Sequence, residues 1–168
     1  TDNATCLNKA QLAGVIGQKV LVAKGDFRIN SAFTQGVSFV GEDSALIKYN
    51  TASSSTNVVM WSMAAPNISV ENIRFDGSNK ARTIISVGAY PNISIIKNEI
   101  TGGSQVSTET NVVHGIFFAN GCDNLYIGYN YIHHLDAPNN GTVRGIRGAY
   151  AGAAPTNVII EGNTFNEI

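Results

Sequence analysis

Asn67-Ile-Ser-Val-Glu-Asn-Ile-Arg-Phe75 is repeated as Asn92-Ile-Ser-Ile-Ile-Lys-Asn-Glu-Ile100, as Asn124-Leu-Tyr-Ile-Gly-Tyr-Asn-Tyr-Ile132 and as Asn157-Val-Ile-Ile-Glu-Gly-Asn-Thr-Phe165. The phrases begin 25, 32 and 33 residues apart, with irregular segments filling the differences. Unequal spacing of a constant phrase marks a chain that winds back on itself, each turn restoring the same register. In each phrase apolar residues alternate with others before the second Asn, so Ile68 and Val70, Ile93 and Ile95, Leu125 and Ile127, and Val158 and Ile160 share one face of a short strand. A single such strand cannot bury its own face. Stacked about 4.8 Å apart, four of them bury a continuous column.

The asparagines fit corners. Asn tolerates the left-handed backbone of a sharp turn, and its amide bonds to the Asn above it. Asn98, Asn130 and Asn163 are expected to stack, whereas Asn72 comes one residue early and predicts a local irregularity. Before each phrase lies another strand: Val58–Met63, Thr83–Val87, Gly115–Ala119 and Gly145–Ala149, ending in small or turn-forming residues. A rung thus reads as strand, turn, strand, Asn corner and a closing apolar residue (Phe75, Ile100, Ile132 or Phe165). Variable loops follow the first three, at 76–82, 101–113 and 133–143.

This pattern resembles the right-handed parallel β-helix of the pectate-lyase-like superfamily. The opening Thr1–Ala10, Lys19–Asn30 and Gly36-Val-Ser-Phe-Val-Gly41 looks like the start of bacteriophage tailspike domains. The resemblance implies an all-β solenoid with a short N-terminal capping helix, virion-tail or extracellular location, and a homotrimer in the full-length protein. The expected organisation is one domain over 1–168, with cap and first strands in 1–30 and stacked rungs in 31–168, as a segment of a longer chain. Residues 5–14 are the expected cap, with Thr5 as N-cap and Leu7, Ala10 and Ala13 as its apolar stripe. Side-wall residues Ile85 and Ile96 are the surface expected to be covered by trimerisation.

The formal charge is −1 and only 14% of residues are charged, which gives no electrostatic case for nucleic acid or an anionic membrane. No run approaches the roughly 18 apolar residues of a membrane span. Cys6 and Cys122 read as free buried thiols. The sequons at Asn67 and Asn92 belong to the structural repeat and are no evidence of glycosylation; two more begin at Asn3 and Asn140.

Stacking brings distant residues together, so site chemistry is sought in columns. Aligning the strands that precede the phrases puts Asn57, Arg82, His114 and Arg144 in one column and Met60, Ile85, Phe117 and Arg147 in another. The planar guanidinium fork suits carboxylates, and aromatic faces suit sugar rings. The candidate substrate-binding residues are therefore Arg82, Arg144, Arg147, Phe117 and Tyr150, with Trp61, Tyr90, Tyr126, Tyr129 and Tyr131 as extensions of the surface. Asp136 and His114 are the candidates for proton transfer, with Asp76 and Glu109 as alternative acids. His114 with Arg144 and Arg147 also fits a lyase, yet no Asp cluster marks a calcium site and the polygalacturonase and alginate-epimerase signatures are absent from the sequence. His133-His134 with Asp136 is too sparse for a metal, so no metal and no cofactor is expected. The leading functional expectation is a domain that recognises and degrades a bacterial surface polysaccharide as hydrolase or lyase; the alternatives are a non-catalytic polysaccharide-binding module and a purely structural segment.

Overall fold

A computed structural model describes residues 2–13, 18–51, 58–104, 112–138, 141–149, 152 and 154–168. Tyr150, Asn57, Glu109 and Asn140 lie outside them.

The chain is a right-handed parallel β-helix with three walls and one short N-terminal helix. The first wall stacks Lys19–Val22, Ser38–Gly41, Ser69–Glu71, Ile93–Ile96, Leu125–Gly128 and Ile159–Glu161. The second stacks Gly25–Ile29, Ala45–Tyr49, Arg74–Ala81, Glu99–Gly103, Tyr131–His133 and Thr164–Asn166. The third holds Phe33–Gln35, Val59–Met63, Thr83–Val87, Val112–Phe118 and Thr142–Gly148. Every wall pairing is parallel. The closing apolar residues are therefore centres of a full wall, and the expected loop at 76–82 is strand through Ala81.

Both asparagine positions build ladders. Asn67, Asn92, Asn124 and Asn157 all have φ between 54° and 60°, and the amides of Asn92, Asn124 and Asn157 each donate to the Asn of the preceding rung at 2.7–3.0 Å. At the other corner the left-handed residue is the one before the Asn: Lys97, Tyr129 and Gly162. Asn98 and Asn130 are buried; each receives backbone N–H from the rung below, and Asn98, Asn130 and Asn163 return Nδ2–H to Val70, Ile95 and Ile127 carbonyls. These bonds satisfy corner peptides that the sheets cannot reach. Asn72 is the anticipated irregularity. It takes the left-handed position itself, and buried Ile73 fills the place of the ladder asparagine.

Ile68, Ile93 and Leu125 form the expected buried column, and Val70, Ile95 and Ile127 a second. On the last rung Val158 is half-buried, while Ile160 and Phe165 are 47% and 49% exposed, with no further strand among the described residues stacked on them. Near the other end Phe33, Phe39, Trp61 and Phe75 pack with ring centroids 4.3–5.7 Å apart. Trp61 is thus core, contrary to its reading as binding surface. Its indole N–H donates to Gln35 Oε1 at 2.6 Å, and Gln35 Nε2 donates to the Val37 and Ser69 carbonyls, so this buried amide is satisfied on both sides.

The helix runs Ala4–Ala13, with Ala4 and Leu7 in the core and Ala13 exposed. Thr5 lies inside it. Asp2 Oδ1 accepts from the Ala4 and Asn30 amides, and Asn3 exchanges two bonds with the Arg28 backbone, tying the cap to the second wall. Two further expectations are corrected. Ile85 is fully buried and Ile96 half-buried, so neither calls for a neighbouring subunit. Both cysteines are free, but Cys6 is exposed; Cys122 is buried and donates to the Ala119 carbonyl.

Candidate functional site

The third wall bends at one place on successive rungs. Met60 with Trp61, and Ile84 with Ile85, are neighbours in sequence yet both buried, and the pairing skips Met60, Ile84, Gly115 and Gly145. A Cβ on Gly115 or Gly145 would collide with Ile132 or Phe165 inside the coil. The bend leaves residues three apart on the outside: Thr83 and Ser86, His114 and Phe117, Arg144 and Arg147. Between them lies a hollow of about 330 Å³ lined by Val59, Arg82, Thr83, Ser86, His114, Phe117 and Arg147.

His114 pairs with Arg144, and Phe117 with Arg147, as the sequence columns require. One rung lower the columns are off by one, because His114 stacks on Thr83 and Phe117 on Ser86, in place of Arg82 and Ile85. Arg82 still reaches the hollow, its Nε donating to the Val112 carbonyl at 2.9 Å.

His114 is 4% exposed, beneath Arg147 and Phe117. Arg147 Nη1 lies 3.2 Å from its Nε2. A guanidinium only donates, so Nε2 is the acceptor, the proton sits on Nδ1, and Nδ1–H points to Thr83 Oγ1 at 3.3 Å. Burial, followed by the positive charges of Arg147, Arg82 and Arg144, lowers its pKa from 6.5 to about 4. At neutral pH the ring is an uncharged strut. Arg147 rests over Phe117, 5.9 Å from the ring centre, and its buried Nε has no partner among the described residues. With Nη1 held by His114, the Nε side of the guanidinium is uncommitted.

Asp136 is exposed and pairs in a parallel bridge with Ser104; it does not line the hollow around His114. Arg144 lines a neighbouring hollow with Phe118, Ile146, Arg147, Gly148 and Ile160. The structure thus groups Arg82, His114, Phe117 and Arg147, places Arg144 beside them, and leaves Asp136 apart.

The second wall carries a polar surface that the columns missed. Arg74 and Asp76 stack beneath Glu99 and Thr101, and Glu99 beneath Tyr131. Here cations and carboxylates are paired: Lys48 to Asp76 at 3.3 Å, Arg74 to Glu99 at 3.1 Å, and His133 Nε2 to the same Glu99 oxygen at 3.0 Å. The signal lay in polar-apolar-polar triplets around each closing residue, such as Arg74-Phe75-Asp76 and Glu99-Ile100-Thr101.

No protein-family model, curated protein or solved structure matches the chain.

Proposed function

We propose that this chain recognises an acidic polysaccharide along its third wall, as a pectate-lyase-like, tailspike-type β-helix segment placed on a virion tail or outside the cell. The observation that carries the reading is the hollow at His114, which is lined by Arg82 and Arg147 and, among the described residues, by no carboxylate. Guanidiniums beside an aromatic face favour a ligand bearing both negative charge and sugar rings. Recognition fits this arrangement better than cleavage. His114 has its acceptor engaged by Arg147, and Asp136 stands outside the lining. The homotrimer belongs to this reading through the resemblance, without support from Ile85 or Ile96.

Gel retardation against bacterial surface polysaccharides tests it, using uronate-bearing chains and the same chains after reduction of their carboxyl groups to alcohols. The expected result is retardation by at least one acidic chain, lost on carboxyl reduction and weakened about tenfold or more by Arg147→Ala, in line with a charged hydrogen bond. Indifference to both changes would overturn the proposal. Reducing ends or unsaturated products released in the same samples would restore a hydrolase or lyase reading.

A further inference from the structure

The strand Arg74–Ala81 leaves its register against Glu99–Gly103: Asp76 pairs with Thr101, but Ala81 is the next residue to pair, with Gly103. The excess chain stands on the second wall as a bulge. Within it Ser78 and Asn79 are consecutive non-glycine residues with φ of 53° and 55°. Such a backbone is held only by its surroundings, and strain of this kind collects at functional sites. The holding contacts are visible. Asp76 Oδ1 accepts the Ser78 amide at 2.7 Å, and Gly102, itself at φ 67°, leaves no room for a Cβ beside that oxygen.

The bulge borders a hollow of about 510 Å³, lined in part by Lys48, Asp76, Ser78, Thr101 and His133. A second hollow of about 460 Å³, lined in part by Asp26, Lys97 and Glu99, adjoins it through their shared residue Arg74. Both volumes lie in the range of small-ligand sites. Ser78 Oγ is shut off from water and has no hydrogen-bond partner among the described residues, an omission that a buried hydroxyl rarely shows. Tyr131 stacks on His133 at 4.2 Å and remains 40% exposed, presenting an aromatic surface beside Glu99.

We infer that the second wall is a separate saccharide-binding face, which takes an uncharged, polyhydroxylated glycan segment across the two hollows that meet at Arg74. The pairing of Lys48 with Asp76 and Arg74 with Glu99 leaves neither sign in excess, so a polyanion gains little here. The same pairs hold donors and acceptors at fixed places, and sugar hydroxyls both donate and accept. This face is independent of the third-wall reading.

The test is an amide NMR titration of the full chain with neutral oligosaccharides of the α-glucan, β-glucan, mannan and galactan types. The expected result is saturable shifts at Ser78, Gly102 and His133 with at least one of them. Lys48→Met then raises Kd about 3- to 10-fold, as loss of one hydrogen bond from a partly exposed lining residue implies. Tyr131→Ala changes Kd in the same direction, and Arg147→Ala leaves it alone. The inference is overturned if none of the four types moves these amides, or if binding is indifferent to both Lys48→Met and Tyr131→Ala. Loss through Arg147→Ala would assign the sugar to the third wall instead.

Discussion

The second and third walls are built from the same rungs, yet their outer faces solve the problem of charge in opposite ways. On the second wall the cations at its centre have carboxylates beside them: Arg74 has Glu99, and Lys48 has Asp76. On the third wall Arg82, Arg144 and Arg147 gather around a neutral histidine, and no carboxylate among the described residues lines the hollow. Exposed pairs of the first kind contribute about 0–1 kcal/mol, and their chief effect is to fix side chains in place. Cations gathered as on the third wall cost the fold some repulsion, and Arg147, whose Nε has no partner among the described residues, keeps charge for a ligand. The difference teaches that on a solenoid, where every rung offers the same scaffold, specificity lies in which outward positions are compensated.

Both walls hang on the asparagine corner, so the largest effect expected is on both together. Asn130→Ala removes the acceptor of the Asn98 amides and the donor to Ile95 O inside the coil. Buried groups left without partners cost about 1–3 kcal/mol each, so a loss of roughly 2–5 kcal/mol is expected, against a typical total of about 5–15. Urea unfolding measures it. A loss below about 1 kcal/mol would mean that the ladder is ornament and that the walls stand by their sheets alone.

A smaller effect should separate the walls by pH. His114 has a folded pKa of about 4, depressed from 6.5, so the native state binds fewer protons than the unfolded chain between these values. Its contribution is fully present above pH 6.5 and is lost as the pH falls through about 4. His114→Gln, which can still accept from Arg147, should flatten the stability profile of the wild type between pH 6.5 and 4. Identical profiles would show that the ring charges freely and is no strut.

Much of this was legible before the structure. The repeated phrase gave the coil, the buried columns, the asparagine stack and the irregularity at Asn72, because period-two alternation and Asn corners are local signals with one geometric meaning. The pairing of His114 with Arg144 followed from the same register. What escaped depended on relations between rungs. The third-wall bend puts two consecutive side chains inside, which breaks simple alternation, and an alignment on first inward residues then slips by one at Thr83. The second wall was hidden because three-residue strands such as Tyr131–His133 show only a single apolar residue. Trp61 and Ile85 were assigned to the surface for the same reason, since the face a side chain takes is set by the bend.

The most direct measurement follows the arginine side-chain Nε–H resonances of Arg147 and Arg74 while a uronate oligosaccharide is added to the folded chain. Arg147 Nε, buried and without a partner among the described residues, should shift and saturate as a carboxylate meets its guanidinium group, whereas Arg74 Nε, already donating to Glu99, should stay where it is. A saturable shift at Arg74 with Arg147 unmoved would contradict the assignment of acidic saccharide to the third wall.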